Sequence, residues 1–125
     1  MDAISTNDAP KAIGPYSQAV RAGNLVFLSG QIPLDAATGV LVSGTIEQET
    51  DQVMDNLAAV LHAAGCGFAN VVRTTIFLVD LADFQAVNAT YGKRFSGVFP
   101  ARATVQVAAL PRGARVEIDA IAVTG

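Results

Sequence analysis

The sequence reads TIEQETDQVMDNLAAVLHAA from Thr45 to Ala64, and this stretch decides the fold because it is the clearest helix of the chain. Its larger apolar residues recur at intervals of three and four, as on one face of an α-helix. They are Val53, Met54, Leu57, Val60, Leu61 and Ala64. Thr45 and Gln48 have the spacing of a capping box, and Gly65 supplies a stop signal. The stretch therefore predicts a helix that packs on a core.

Strand patterns lie on both sides of this helix. Tyr16–Arg21 and Leu25–Ser29 predict a hairpin, because the turn between them is Ala22-Gly23-Asn24, rich in residues that tolerate positive φ. After the helix, Val71–Val79 is β-branched and apolar. Such a run is typical of a central strand covered on both faces or buried at an interface.

A second helix and two further strands complete the pattern. Asp80 is a candidate N-cap, and the following apolar stripe consists of Phe84, Val87, Tyr91 and Phe95. Strands are predicted over Arg102–Ala108 and Ala114–Val123, around the turn Leu110-Pro111-Arg112-Gly113. The order predicts one α+β domain over residues 1–125, with a mixed sheet and both helices on one face.

Composition narrows the function classes. With 51% hydrophobic and only 15% charged residues, the chain is expected to bury apolar surface between subunits. A net charge of −3 argues against binding to a nucleic-acid backbone, which needs clustered Lys and Arg. No apolar run approaches the roughly 18 residues of a membrane span, and no basic segment opens the chain. A soluble, cytoplasmic protein is therefore expected.

Metal and triad chemistry have few candidates. The chain has one cysteine, Cys66, and one histidine, His62. A single cysteine forms no intrachain disulfide or cysteine cluster for zinc. His62 lies about 180° around the helix from Val53, so it is predicted to be solvated. A histidine-dependent nucleophile therefore has no second candidate.

Arg102 is the first candidate site residue. In the run Phe99-Pro100-Ala101-Arg102 it enters a predicted strand from a proline corner, and alternation places Arg102, Thr104 and Gln106 on one face. We expect that face of the sheet to be polar. A guanidinium stays charged and presents two donors in the plane of a carboxylate, which predicts a small anionic ligand. The alternative is a surface arginine paired with an acid.

Glu117 is the second candidate, an acid in an otherwise apolar final strand. It is either a partner for Arg112 or Arg115 or a carboxylate that orients water. A direct hairpin at Pro111 would place Gln106 opposite Glu117, with Arg102 roughly 13 Å farther along. Arg102 and Glu117 then share one site only if the register differs or two subunits contribute.

Two further residues are candidates for a binding site. Gly30 ends the second strand, where a missing side chain lets another group approach the backbone. Asn88 lies on the helix face of Phe84 and Tyr91, and a buried amide there needs either a backbone turn or a ligand as partner.

Five runs resemble the RidA/YjgF family of enamine and imine deaminases, in the family's order and from about Asn7 to Val123. They are AIGPYSQA at 12–19, SGQIP at 29–33, VNATY at 87–91, FPAR at 99–102 and VEIDAIAV at 116–123. The resemblance implies a homotrimer of chorismate-mutase-like domains with clefts between subunits. It implies hydrolysis of 2-iminopropanoate and 2-iminobutanoate to 2-keto acids and ammonia, which protects pyridoxal-phosphate enzymes, with no metal or organic cofactor.

The resemblance also implies residue roles. Arg102 would clamp the substrate carboxylate and Glu117 would hold the attacking water. The substrate-binding residues would be Tyr16, Ser29, Gly30, Asn88 and Thr104, with backbone groups acting at Gly30 and near Thr104.

Two departures and several alternatives remain open. Members of the family often have cysteine where this chain has Thr104, and the segment 92–98 is shorter than usual, which affects substrate range. The alternatives are a deaminase with another substrate, such as 2-aminomuconate, and a non-catalytic small-molecule binder or chaperone-like trimer. The family has also been linked to RNA cleavage, which the acidic balance opposes.

Overall fold

The computed structural model describes residues 1–125 as a mixed six-stranded sheet with two helices on one face. The strands are β1 (Asp2–Ile4), β2 (Ala19–Ala22), β3 (Leu25–Gln31), β4 (Val71–Leu78), β5 (Ala101–Gln106) and β6 (Val116–Val123). The helices are α1 (Ile46–Ala63) and α2 (Phe84–Gly92), with short 3-10 turns at Phe68–Asn70, Leu81–Asp83 and Pro111–Gly113. Neither helix is long and apolar enough to cross a lipid bilayer.

The α1 helix forms as its sequence predicts. Thr45 accepts a hydrogen bond from the backbone of Gln48, whose side chain accepts one in return, and Gly65 adopts a φ of 76° just past the end. Residues close in sequence therefore set both ends of this helix. The apolar stripe packs on the inner residues of β6, which are Val116, Ile118, Ala120 and Ala122. His62 on the opposite face is exposed, as predicted.

The strand order is β1-β2-β3-β6-β4-β5. The β2–β3 hairpin around Gly23 and the central position of β4 are confirmed, whereas β1 was not predicted. Of the pairings left open for the last two strands, the direct hairpin does not form. β5 pairs in parallel with β4, and β4 pairs antiparallel with β6, so β4 separates the two. The chain leaves β5 at the edge and re-enters the sheet on the other side of β4.

The outer face of the sheet carries no helix. It presents Phe27, Phe77, Val105 and Ile121 together with charged Arg73, Glu117 and Asp119, and Phe27 and Val105 are each 41% exposed. Within one chain β4 is therefore covered on its helix side only.

Asp80 accepts a hydrogen bond from Ala82, but it caps the 3-10 turn that precedes α2 and not α2 itself.

Candidate active site

Glu117 lies directly over Gly30. β3 and β6 are neighbours, and their register shifts between Leu28 and Gln31, so Gly30 sits at an irregularity beside Glu117. A Cβ built on Gly30 would lie 2.3 Å from Glu117 Oε2 and 2.9 Å from its Cδ. With the carboxylate in this position only glycine fits, so the group that approaches the backbone at Gly30 is the Glu117 side chain itself.

A cleft of about 500 Å³ opens beside this pair. It brings together four of the predicted site residues: Tyr16, Ser29, Gly30 and Glu117. The Ser29 hydroxyl donates a 2.6 Å hydrogen bond to the carbonyl of Ser17, so it fixes the wall of the cleft. Tyr16 is half-exposed at the opening.

The Glu117 side chain makes no hydrogen bond or ion pair within the chain. Burial raises its pKa, and the neighbouring negative charge of Asp119 raises it further. Of the two proposed arginine partners, Arg115 instead pairs with the buried Glu49 and donates to the Gly44 carbonyl. Arg112 makes no ion pair. Both Glu117 oxygens are therefore without a partner within the chain, as a carboxylate that binds water would need to be.

Arg102 stands on the helix face of the edge strand β5. Its guanidinium carbon lies 5.3 Å from the centre of the Tyr91 ring and 5.7 Å from that of Phe84. The Tyr91 hydroxyl is fixed by a 2.7 Å hydrogen bond with Thr74, and burial raises the Tyr91 pKa, although Thr74 and the Arg102 charge oppose this. The prediction that Arg102 lies on an open, polar face of the sheet is wrong, because α2 packs over this side of β5. Two aromatic rings hold Arg102 instead.

No acid neutralises Arg102, and none of its donors is engaged within the chain, so the alternative of a surface ion pair is not realised. Asn88 lies one helical turn from both Phe84 and Tyr91 and is half-buried. Its amide makes no hydrogen bond, so the backbone-turn alternative is not realised either. The Thr104 hydroxyl, on the same strand face as Arg102, is buried without a partner. The side chains of Asn88, Arg102 and Thr104 are thus without a hydrogen-bond partner within the chain.

Arg102 and Glu117 do not meet within one chain. Arg102 pairs with Thr74 of β4, whose side chain faces α2, whereas Glu117 pairs with Phe77 on the outer face. Two strand spacings and three residues separate their Cα atoms, on the order of 14 Å, with opposite side-chain directions. The chain thus carries two half-sites: Tyr16, Ser29, Gly30 and Glu117 on one, and Asn88, Arg102 and Thr104 on the other.

Sequence reasoning missed several residues of these half-sites. Lys11 and Arg112 line the Glu117 cleft, and Phe84 supports Arg102. In the sequence, Leu110-Pro111-Arg112-Gly113 was identified as a turn and Arg112 as a possible ion-pair partner of Glu117, not as a residue of a binding cleft. A signal for Phe84 existed, since it shares the helix face of Asn88 and Tyr91, but its contact with Arg102 depends on the strand order.

The fold and the half-sites define a small α+β protein in which one arginine and one half-buried carboxylate have no charged partner within the chain. Comparison with known proteins identifies the family of this chain. Residues 6–124 match the family model described as endoribonuclease L-PSP. Protein DfrA of Myxococcus xanthus is 62% identical over 124 residues, covering 98% of this chain and 95% of that protein. The mouse protein named 2-iminobutanoate/2-iminopropanoate deaminase is 56% identical over 122 residues, covering 98% and 90%.

Solved structures give the same result. The crystal structure of a putative endoribonuclease from Thermotoga maritima superimposes with a TM-score of 0.97 at 50% identity, covering 100% of this chain and 98% of that one. The chain belongs to the endoribonuclease L-PSP family, which is the RidA/YjgF family its motifs resemble.

Proposed function

We propose that this protein hydrolyses 2-imino acids and their 2-enamine tautomers, such as 2-iminopropanoate and 2-iminobutanoate, to the 2-keto acid and ammonia. The observation that carries the proposal is the pair of uncompensated charges, Arg102 and Glu117, in a chain 56% identical to a protein named for this reaction. The cellular role would be removal of reactive imines released by pyridoxal-phosphate enzymes in the cytoplasm.

In the proposed mechanism Arg102 binds the substrate carboxylate through two parallel hydrogen bonds. The Glu117 carboxylate accepts a proton from water as the oxygen attacks the imine carbon, which gives a carbinolamine. Glu117 then returns this proton to the carbinolamine nitrogen, the hydroxyl group gives up its own proton, and the C–N bond breaks, so ammonia leaves as the keto group forms. A raised pKa makes Glu117 a stronger base, which suits proton transfer near neutral pH. The imine is already electrophilic, so the proposal includes no metal or organic cofactor.

Within one chain the two half-sites lie on opposite faces of the sheet, so a shared site would need a second copy of the chain. We propose a homotrimer of single domains, residues 1–125, in which Arg102 of one subunit faces Glu117 of the next. The uncovered apolar residues of the outer face, including Phe27 and Val105, support association through that face. In such a cleft Tyr16 would close the opening, Ser29 and Gly30 would line it, and Asn88 and Thr104 would complete the wall around Arg102.

Hydrolysis of RNA, which the family description names, is not what we propose. Binding a phosphate backbone draws on several clustered Lys and Arg residues. This chain has eight in all, a net charge of −3, and only Lys11 and Arg112 in the Glu117 cleft.

A coupled assay tests the proposal. Threonine dehydratase supplies 2-iminobutanoate, semicarbazide traps the imine, and the protein should speed keto-acid release. Glu117→Gln should lower kcat about 10²- to 10⁴-fold, as expected for loss of a general base. Arg102→Lys, which keeps the charge but loses the fork, should mainly raise KM. The matched control Glu47→Gln, at an exposed helix position, should leave the rate unchanged.

Two outcomes would contradict the proposal. A folded wild-type protein that gives no acceleration would leave a non-catalytic binder. A monomer in multi-angle light scattering with full activity would refute the shared site.

A further inference from the structure

The Glu117 cleft has a positive end that the proposed reaction does not use. Lys11 and Arg112 both line this cleft, and a second hollow of about 280 Å³ continues past the same two side chains over the turn at residues 36–39. Both side chains are exposed. Lys11 and Arg112 therefore lie at the junction of the two hollows.

Neither cation is neutralised by the protein. The ion pairs of the chain are those of Arg94 with Asp51 and Asp55 and that of Arg115 with Glu49. The only hydrogen bond of the Arg112 side chain is a long one, 3.4 Å, to the carbonyl of Gly39. Asp35, at the start of the adjoining turn, accepts bonds from Ala37 and Thr38 instead. The positive charge at this end of the cleft is therefore available to a ligand.

The two cations also do not serve Glu117. The pKa of Glu117 is raised by burial and by Asp119, and no cation of the same chain offsets this rise. A cation in close contact would pull that pKa down. Glu117 lines only the first hollow, whereas Lys11 and Arg112 line both, so the cleft has a carboxylate at one end and an uncompensated positive charge at the other.

The backbone at Arg112 is strained. Arg112 has φ 61° and ψ 18°, and it is the only residue other than glycine with a positive φ. A side chain in this region costs energy that glycine avoids, and such strain persists where the side chain has a use. Gly113 follows directly with φ 71°, so the turn already contains a residue suited to this conformation.

We propose that Lys11 and Arg112 form a subsite for a second carboxylate, so that the protein prefers 2-imino acids whose side chain ends in a carboxylate. This inference rests on the proposed function, and it names the substrate class of the same cleft. The 1-carboxylate goes to Arg102, the imine carbon lies by Glu117, and the distal carboxylate pairs with the two cations. A guanidinium and an ammonium together suit such a group.

The test compares two imines of equal size and different charge. Amino-acid oxidases generate the imines of glutamate and glutamine in the presence of catalase, and semicarbazide competition gives kcat/KM for each. The wild type should favour the glutamate imine about tenfold at low salt, and the preference should shrink as ionic strength rises. Lys11→Gln with Arg112→Gln should reduce the ratio to about one. Lys93→Gln, a lysine outside the cleft, should leave it unchanged.

Arg112→Gly separates binding from folding. Glycine adopts a positive φ freely, so this variant should melt at the same temperature as wild type or higher, yet lose most of the preference. A wild-type ratio near one, or equal effects of the cleft variants on both imines, would overturn the inference while leaving the deaminase proposal intact.

Failure of the deaminase proposal can be distinguished from failure of the subsite proposal. If wild-type protein accelerates no imine at all, calorimetric binding of 2-oxoglutarate against 2-oxobutanoate still reports on the subsite. Tighter binding of 2-oxoglutarate that Arg112→Gly abolishes would support the subsite without catalysis. Equal binding of the two keto acids would reject it.

Discussion

Gly30→Ala should displace the Glu117 carboxylate without unfolding the protein. The new Cβ would lie 2.3 Å from Oε2 and 2.9 Å from Cδ of Glu117. Ordinary contacts of a Cβ lie at 3.4–4 Å, so Oε2 has to retreat by about 1.1 Å. A displacement of about 1 Å at a reacting group costs about 10²-fold in rate. We expect kcat/KM for 2-iminobutanoate to fall about 100-fold.

The same substitution should change stability little. The clash falls on the end of a flexible, half-buried side chain, and Gly30 does not occupy the positive-φ region. Alanine also loses less backbone entropy than glycine on folding, so the free energy of unfolding should stay within about 1 kcal/mol of wild type. Urea unfolding followed by circular dichroism measures this. Gly67→Ala is the control, since nothing lies within 4 Å of a Cβ there.

A double-mutant cycle makes the test specific. Glu117→Asp shortens the side chain by one carbon–carbon bond, about 1.5 Å, so it removes the clash along with the reach of the carboxylate. Adding Gly30→Ala to Glu117→Asp should then lower kcat/KM by much less than 100-fold. Such a difference from the effect in wild type would show strong coupling between residues 30 and 117. Wild-type activity in Gly30→Ala would refute the need for close approach. A collapse of stability would refute the claim that Glu117 absorbs the clash.

Two further predictions concern the charged groups. The pKa of Glu117 is raised in the folded state. Compared with Glu117→Gln, the wild type should therefore be most stable below about pH 4.3, the ordinary glutamate pKa. This advantage should be lost as the pH rises through the folded-state pKa of Glu117. Melting curves from pH 4 to 8 check this, and wild-type kcat/KM should rise over the same window. Phe84→Leu removes one ring beside Arg102, worth about 0.5–2 kcal/mol, so KM should rise about 2- to 30-fold with kcat retained. Phe84→Tyr should keep the wild-type KM, and an unchanged KM in Phe84→Leu would contradict the stacking role.

Local signals predicted much of the fold. The α1 helix, its capping box and the hairpin at Gly23 depend on residues a few positions apart, so the sequence carries them directly. β1 went unpredicted because Asp2–Ile4 is short and mostly exposed, with no periodicity of its own. The pairing of the last two strands stayed open in the sequence, because the tight turn Leu110–Gly113 favours a hairpin locally, whereas β4 lies between these strands through long-range contacts.

For the site, the sequence alone determined which side chains share a strand face. Arg102 lies with Thr104, and Glu117 lies with Asp119, because strands alternate with a period of two. Only the tertiary structure decided which face each set occupies. β4 lies between β5 and β6, parallel to one and antiparallel to the other, and this register turns Arg102 toward α2 and Glu117 toward the uncovered face. Alternation fixes relative directions within a strand, but the absolute direction depends on packing against residues far away in the chain.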